Sequence, residues 1–212
     1  KKWLVFSLLV GRYSGSAESW LDADIKLINE KGIDGVIKMI EETILNENYF
    51  DYALVSNLES SSKNNNGYNI YLAAHCLANT TAFLSKTMTI KSLIEQRGDE
   101  HHIYPKGYLE KNKFIQKEYN QVANYVFTES ATNIKLKDNA PLDYFTKILN
   151  QIAQNNVALG TIESVELLKQ NLEANDIPET ILTATAETYK DFLLTRRKLI
   201  SNRIKKYYYE WL

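Results

Sequence analysis

Apolar residues recur at three- and four-residue spacing toward both ends of this chain and lose that period in the middle. This change of rhythm limits the fold more than any other feature. Leu21, Ile25 and Ile28, then Ile33, Val36, Ile37, Ile40 and Ile44, mark helices over 20–30 and 33–45, with Lys31-Gly32 as the stop between them. The polar run Ser60 to Gly67 predicts a loop with no means of packing, and an apolar helix is expected over 68–85. Beyond Pro178 the spacing of Ile181, Tyr189, Phe192, Leu193, Leu199, Ile200 and Ile204 predicts one long helix to Leu212. Between about Glu95 and Pro141 the period fades. A polar lead-in, Arg97-Gly98-Asp99-Glu100, opens a strand; a long loop, a second strand over 122–128 and a helix follow. The expected fold class is mainly α, a helical scaffold with a small inserted ββα unit. Residues 1–95 form the N-terminal scaffold, 96–140 the insertion and 141–212 the helices that pack back on the scaffold. The three parts are expected to make one composite domain, a fragment of a longer protein.

The N-terminal run Trp3 to Val10 follows two lysines, as in a signal peptide, but is too short to cross a bilayer. It reads as a buried helix. The formal net charge of -1 excludes a dedicated nucleic-acid coat, so any phosphate-binding surface must be local. The single cysteine, Cys76, excludes a disulfide framework and a Cys-rich zinc knuckle. A reducing, cytoplasmic setting fits, with no membrane partner.

Two of the three histidines are adjacent, in His101-His102-Ile103-Tyr104-Pro105. A strand that ends in two imidazoles and is closed by proline can place a metal ligand beside a base. One ring binds a divalent cation, while the other, with an ordinary pKa of about 6.5, takes a proton from water. Hydrolysis of a phosphodiester bond needs both. Asn124 opens the expected second strand, and Asn133 follows nine residues later. With twenty asparagines in the chain that spacing says little by itself.

Taken together, the His-His-Ile-x-Pro segment, the run Asn120 to Phe127 and the later Asn133 resemble the HNH (ββα-metal) endonuclease superfamily. More specifically, they resemble the C-terminal nuclease module of GmrSD-like modification-dependent restriction enzymes. The flanks add to the likeness: Lys2-Trp3, Gly11 to Ser16, Asp191-Phe192-Leu193 and Arg196-Arg197. The resemblance implies an HNH-like insertion in which His101 and Asn133 bind the metal. His102 is then the general base, and Asn124 holds the loop so that the base points correctly. It implies Mg²⁺ or Mn²⁺, with Zn²⁺ or Ni²⁺ as alternatives because His101 stands where the superfamily often has Asp. It also implies DNA as substrate, a role in restriction or phage defence, and an N-terminal partner domain outside this chain.

Lys106, Lys111, Lys113 and Lys135 lie near this segment in sequence and are candidates for phosphate contact. Arg196 and Arg197, in the basic and aromatic C-terminal stretch, are further candidates, although a charged helix face is more often simply solvated. His75 and Cys76, in an apolar helix, read as a satisfied core histidine and an inert buried thiol. The rival to a nuclease is a non-catalytic helical binding or assembly module whose histidine pair is a relic or a structural metal site. An RNase-like toxin would differ only in substrate.

Overall fold

The computed structural model describes residues 1–98 and 100–212; Asp99, in the polar lead-in to the first strand, lies outside them. Helix α1 (Lys2–Leu9) turns Val5, Phe6 and Leu9 inward and leaves Leu4 and Leu8 exposed, so the N-terminal run is half-buried. The long α2 (Ala17–Thr43) breaks at Gly32, whose φ of 71° and ψ of 162° are not helical. Glycine adopts that conformation without a Cβ clash, and the expected stop is a kink. A wide turn over Tyr49–Ala53 leads into α3 (Leu54–Asn57).

The polar run after α3 is an exposed loop over 61–64, as expected, but its two ends are tied down. The Ser60 carbonyl accepts the Val122 N–H at 2.8 Å, and the Asn66 amide donates to the Leu8 carbonyl at 3.1 Å. Asn65 caps α4 (Asn66–Leu77) by accepting the Tyr68 N–H at 3.0 Å. A polar loop packs when its backbone and amide groups find partners, which hydropathy does not reveal.

Helix α4 also stops at Leu77 rather than continuing to 85. Asn79 takes a left-handed φ of 49°, and the Thr80 N–H returns to the His75 carbonyl at 3.1 Å. That is the Schellman arrangement that closes a helix. The chain then loops back on itself, with Thr81 bridged antiparallel to Thr89, and enters α5 (Ile90–Glu95), whose N-cap is Thr89.

The middle of the chain holds the one two-stranded sheet among the described residues. Strands β1 (Glu100–His102) and β2 (Tyr125–Phe127) pair antiparallel, with His101 opposite Val126 and His102 opposite Tyr125. The expected loop between them contains α6 (Lys106–Lys111) and α7 (Gln116–Tyr119). The second strand is shorter than expected, because Val122–Asn124 form a 3-10 turn. Helix α8 (Ser130–Leu136) follows, then α9 (Pro141–Ala153) and α10 (Val165–Ala174). After Pro178 two short 3-10 turns precede α11 (Tyr189–Lys206), so the long helix begins later than its apolar spacing suggested. Thr188 both accepts from the Thr185 N–H and donates to the Thr185 carbonyl, a local closure that competes with helix.

One buried cluster joins Phe6, Tyr68, Tyr104, Val122, Tyr144, Phe145 and Ile200. The ββα segment therefore shares its core with the helices on both sides. Its sheet is also tied to the scaffold, since the Phe83 N–H bonds the Phe127 carbonyl at 2.8 Å. The fold is mainly helical, and no helix among the described residues is long and apolar enough to cross a membrane.

Candidate functional site

The ladder continues one rung past His102, through the Ile103 N–H, before the chain turns into α6 at Pro105, which lacks an N–H. His101 and His102 line one cleft of about 290 Å³ together with Asn133 of α8. Glu100, Lys106, Lys137 and Asp138 complete its polar rim.

Asn124 is fully buried and does not reach the cleft; it holds the chain behind it. Its Oδ1 accepts the Tyr104 N–H at 2.9 Å, and its Nδ2 donates to the Tyr104 and Tyr119 carbonyls at 3.1 Å each. One residue earlier the Ile103 N–H bonds the Asn124 backbone carbonyl at 2.8 Å. The side-chain amide thus takes the place of the next rung of the ladder and secures the turn at Pro105. The Ile103 carbonyl is held from α9 by the Tyr144 hydroxyl at 3.0 Å.

His102 is largely enclosed. Tyr125 and Tyr119 meet its ring edge-on, with centroids at 5.2 and 6.1 Å, and its Nε2 lies 2.9 Å from Oδ1 of Asn120. Burial holds its pKa below the usual imidazole value against the pull of the Asn120 hydrogen bond, and nearby Lys63 and Lys106 add to the lowering. Lys63 bridges to Glu100 at 2.7 Å and sits over the Tyr125 ring, while Lys106 sits over Tyr119. His102 is therefore neutral at pH 7, the form able to accept a proton.

The other candidates divide. Lys106 lines the cleft. Lys111 points toward Asp138 at 3.9 Å, Lys135 donates to the Ala158 carbonyl at 2.8 Å, and Lys113 is exposed in a turn of positive φ; none of the three lines the cleft. Arg196 and Arg197 require a correction. Arg196 is 1% exposed and donates to the Ala123, Tyr125 and Asn175 carbonyls at 3.0, 2.7 and 3.3 Å. Arg197 is buried and pairs with Glu59 at 2.7 Å. Arg196 is closed to a phosphate, because buried backbone carbonyls hold its guanidinium, and Arg197, largely buried and paired with Glu59, does not line the histidine cleft. Much of the aromatic C-terminus packs too: Tyr208 is fully buried, and the Tyr209 hydroxyl donates to the Leu45 carbonyl. Arg12, buried, pairs with Asp24 and stacks over Trp20, which makes it an anchor for α2. His75 is buried against Tyr71, Thr80 and Asp176, whereas Cys76 is only half-buried.

No family model and no solved structure matches the chain. An uncharacterized protein of Methanocaldococcus jannaschii, MJ0686, is 28% identical over 222 aligned residues. The alignment covers 96% of this chain and 36% of that protein, so the chain spans about a third of the relative's length.

Residue types alone gave no reason to single out Asn120, Lys63, Lys137 or Asp138. Asn120 is one asparagine among many, and Lys63 lies far from the histidines in sequence, in a loop expected to be idle. Only the pairing of β1 with Glu100 in reach of that loop brings Lys63 to the site.

Proposed function

We propose that this chain is a metal-dependent endonuclease that hydrolyses DNA phosphodiester bonds. The observation that carries the reading is the convergence of His101, His102 and Asn133 on one cleft, at a β-β-α turn held from behind by Asn124. His102 would take a proton from a water molecule as that water attacks phosphorus. The new P–O bond forms, the bond to the leaving oxygen breaks, and that oxygen takes up a proton from solvent. His101 and Asn133 would hold the metal. Among the described residues no group of three or more His, Cys, Asp and Glu is placed to hold one, so the fit is an imidazole and an amide oxygen completed by water and substrate. An open set of that kind suits Mg²⁺ or Mn²⁺. When bound, the ion would offset charge on the phosphate and the leaving oxygen. Lys106 and Lys137, on the cleft rim, are the cations best placed to meet a phosphate strand.

The archaeal relative is about three times the length of this chain; a longer parent protein in which this chain is the cutting part belongs to the proposal. Restriction or phage defence and a cytoplasmic setting belong to the same proposal. The test is plasmid nicking in Mn²⁺ and Mg²⁺ beside an RNA digest, with His102→Ala as control. Metal-dependent DNA cleavage that His102→Ala abolishes supports the proposal. A folded protein that binds neither metal nor cleaves DNA would leave the non-catalytic helical module as the better description, and cleavage of RNA alone would change the substrate.

A further inference from the structure

An imidazole that is to act as a base must keep the lone pair on the correct nitrogen, and the other nitrogen's partner decides which one that is. The partner of His102 Nε2 is Oδ1 of Asn120, at 2.9 Å. A carbonyl oxygen can only accept, so Nε2 carries the hydrogen and the lone pair is left on Nδ1. The edge-on rings of Tyr119 and Tyr125 limit rotation of the imidazole plane. Asn120 itself sits on a rigid mount. Its N–H bonds the Gln116 carbonyl at 2.9 Å, and the neighbouring Tyr119 carbonyl is held by the Asn124 amide at 3.1 Å and by the Gln121 N–H at 3.1 Å. The Tyr189 hydroxyl donates to the Glu118 carbonyl at 2.9 Å.

We infer that Asn120 is a positioning residue: its side-chain carbonyl fixes His102 as the Nε2–H tautomer and presents Nδ1 as the base atom for the water to be activated in the cleft. The catalytic part of this inference rests on the nuclease reading; the tautomer does not. Asn120 and Asn124 thereby divide the work across one short turn. Asn124 fixes the backbone that carries the histidine, and Asn120 fixes the ring.

The test uses the full chain labelled with ¹⁵N-histidine, without metal, with the His102 signals assigned by their loss in His102→Ala. Long-range ¹⁵N–¹H correlation spectra report the tautomer directly. The wild-type protein is expected to show His102 protonated on Nε2. Asn120→Ala should lose that preference, and Asn120→Asp, which keeps an accepting oxygen at the same reach, should retain it. In parallel, DNA cleavage in Mn²⁺ should fall about 10- to 100-fold in Asn120→Ala and recover in Asn120→Asp, as for other residues that orient a reacting group. A wild-type His102 protonated on Nδ1, or an unchanged tautomer in Asn120→Ala, overturns the inference. If Asn120→Ala does not fold, the wild-type and Asn120→Asp spectra still decide it. Tautomers that follow the expected pattern in a protein that cuts no nucleic acid uphold the positioning and remove the nuclease reading alone.

Discussion

His101 and His102 are chemically identical neighbours, and the proposed mechanism gives them different work that substitution should separate. Under that proposal His102→Ala removes the base but no metal ligand. Cleavage should fall about 10²–10⁴-fold with metal affinity nearly unchanged, measured by nicking and by Mn²⁺ titration. His101→Ala should weaken Mn²⁺ binding first, with activity partly regained at high metal. Equal loss of metal binding in both variants would remove this division of roles. Asn124→Ala belongs to a different class, because it orphans the Tyr104 N–H and the Tyr104 carbonyl in a dry interior and removes one donor from the Tyr119 carbonyl, which keeps the Gln121 N–H. A loss of about 3 kcal/mol is expected, seen as a melting temperature lower by roughly 6–12 °C. Asn124→Asp should not restore stability, since a carboxylate cannot donate to the Tyr104 and Tyr119 carbonyls.

At the scale of elements, the β1–β2 hairpin is too short to stand alone. Its support comes from α11, where Arg196 donates to the carbonyls on either side of Asn124, those of Ala123 and Tyr125. Arg196→Met keeps most of the volume and leaves those carbonyls without the guanidinium. It should destabilise the protein by about 2–4 kcal/mol and speed hydrogen exchange at Ile103 and Tyr104 more than in α2, which Arg196 does not contact. Uniform loss of protection would mean that Arg196 serves the core in general. The same contact ties the closing helix to the chain behind the cleft, which Arg196 does not line.

For the molecule as a whole, stability should fall on the acid side of neutrality. Buried His75, facing Tyr71, Thr80 and Asp176 with Arg203 and Arg196 nearby, has its pKa pushed well below the ordinary value, first by burial and then by the two guanidinium groups. The unfolded chain takes up this proton near pH 6.5 while the folded chain resists it. The contribution is complete above that pH and is lost as pH falls below it. Urea unfolding between pH 7.5 and 5.5 should show a slope of up to about 1.4 kcal/mol per pH unit below 6.5, reduced in His75→Gln. An identical slope in both proteins would show that other groups carry it. The docking of the 80–89 segment onto the chain before α10 offers a second check. Gly160 has a φ of +72°, and a Cβ there would lie 2.6 Å from the Leu84 carbonyl oxygen. Gly160→Ala should cost at least about 1 kcal/mol in chemical denaturation, from the left-handed backbone alone.

What the sequence determined by itself was periodic or local. The apolar spacing of 33–44 and 189–204 foretold helices, because one face of a helix must be buried. Lys31-Gly32 foretold an interruption, which the fold makes a kink, and the His-His pair foretold the end of a strand. What only the tertiary structure decided concerns partners that are distant in sequence. Helix α4 ends where His75 and Thr80 close it, and α11 starts late because Thr185 and Thr188 satisfy each other. Arg196 and Arg197 looked like surface cations from their composition, yet a buried backbone and Glu59 claim them. Asn120 opened the run that carried the resemblance, but its contact with His102 appeared only when the fold brought the two together. Periodicity reports which face of an element is buried, whereas the partner of a polar group depends on which elements meet, and no local window of sequence contains that information.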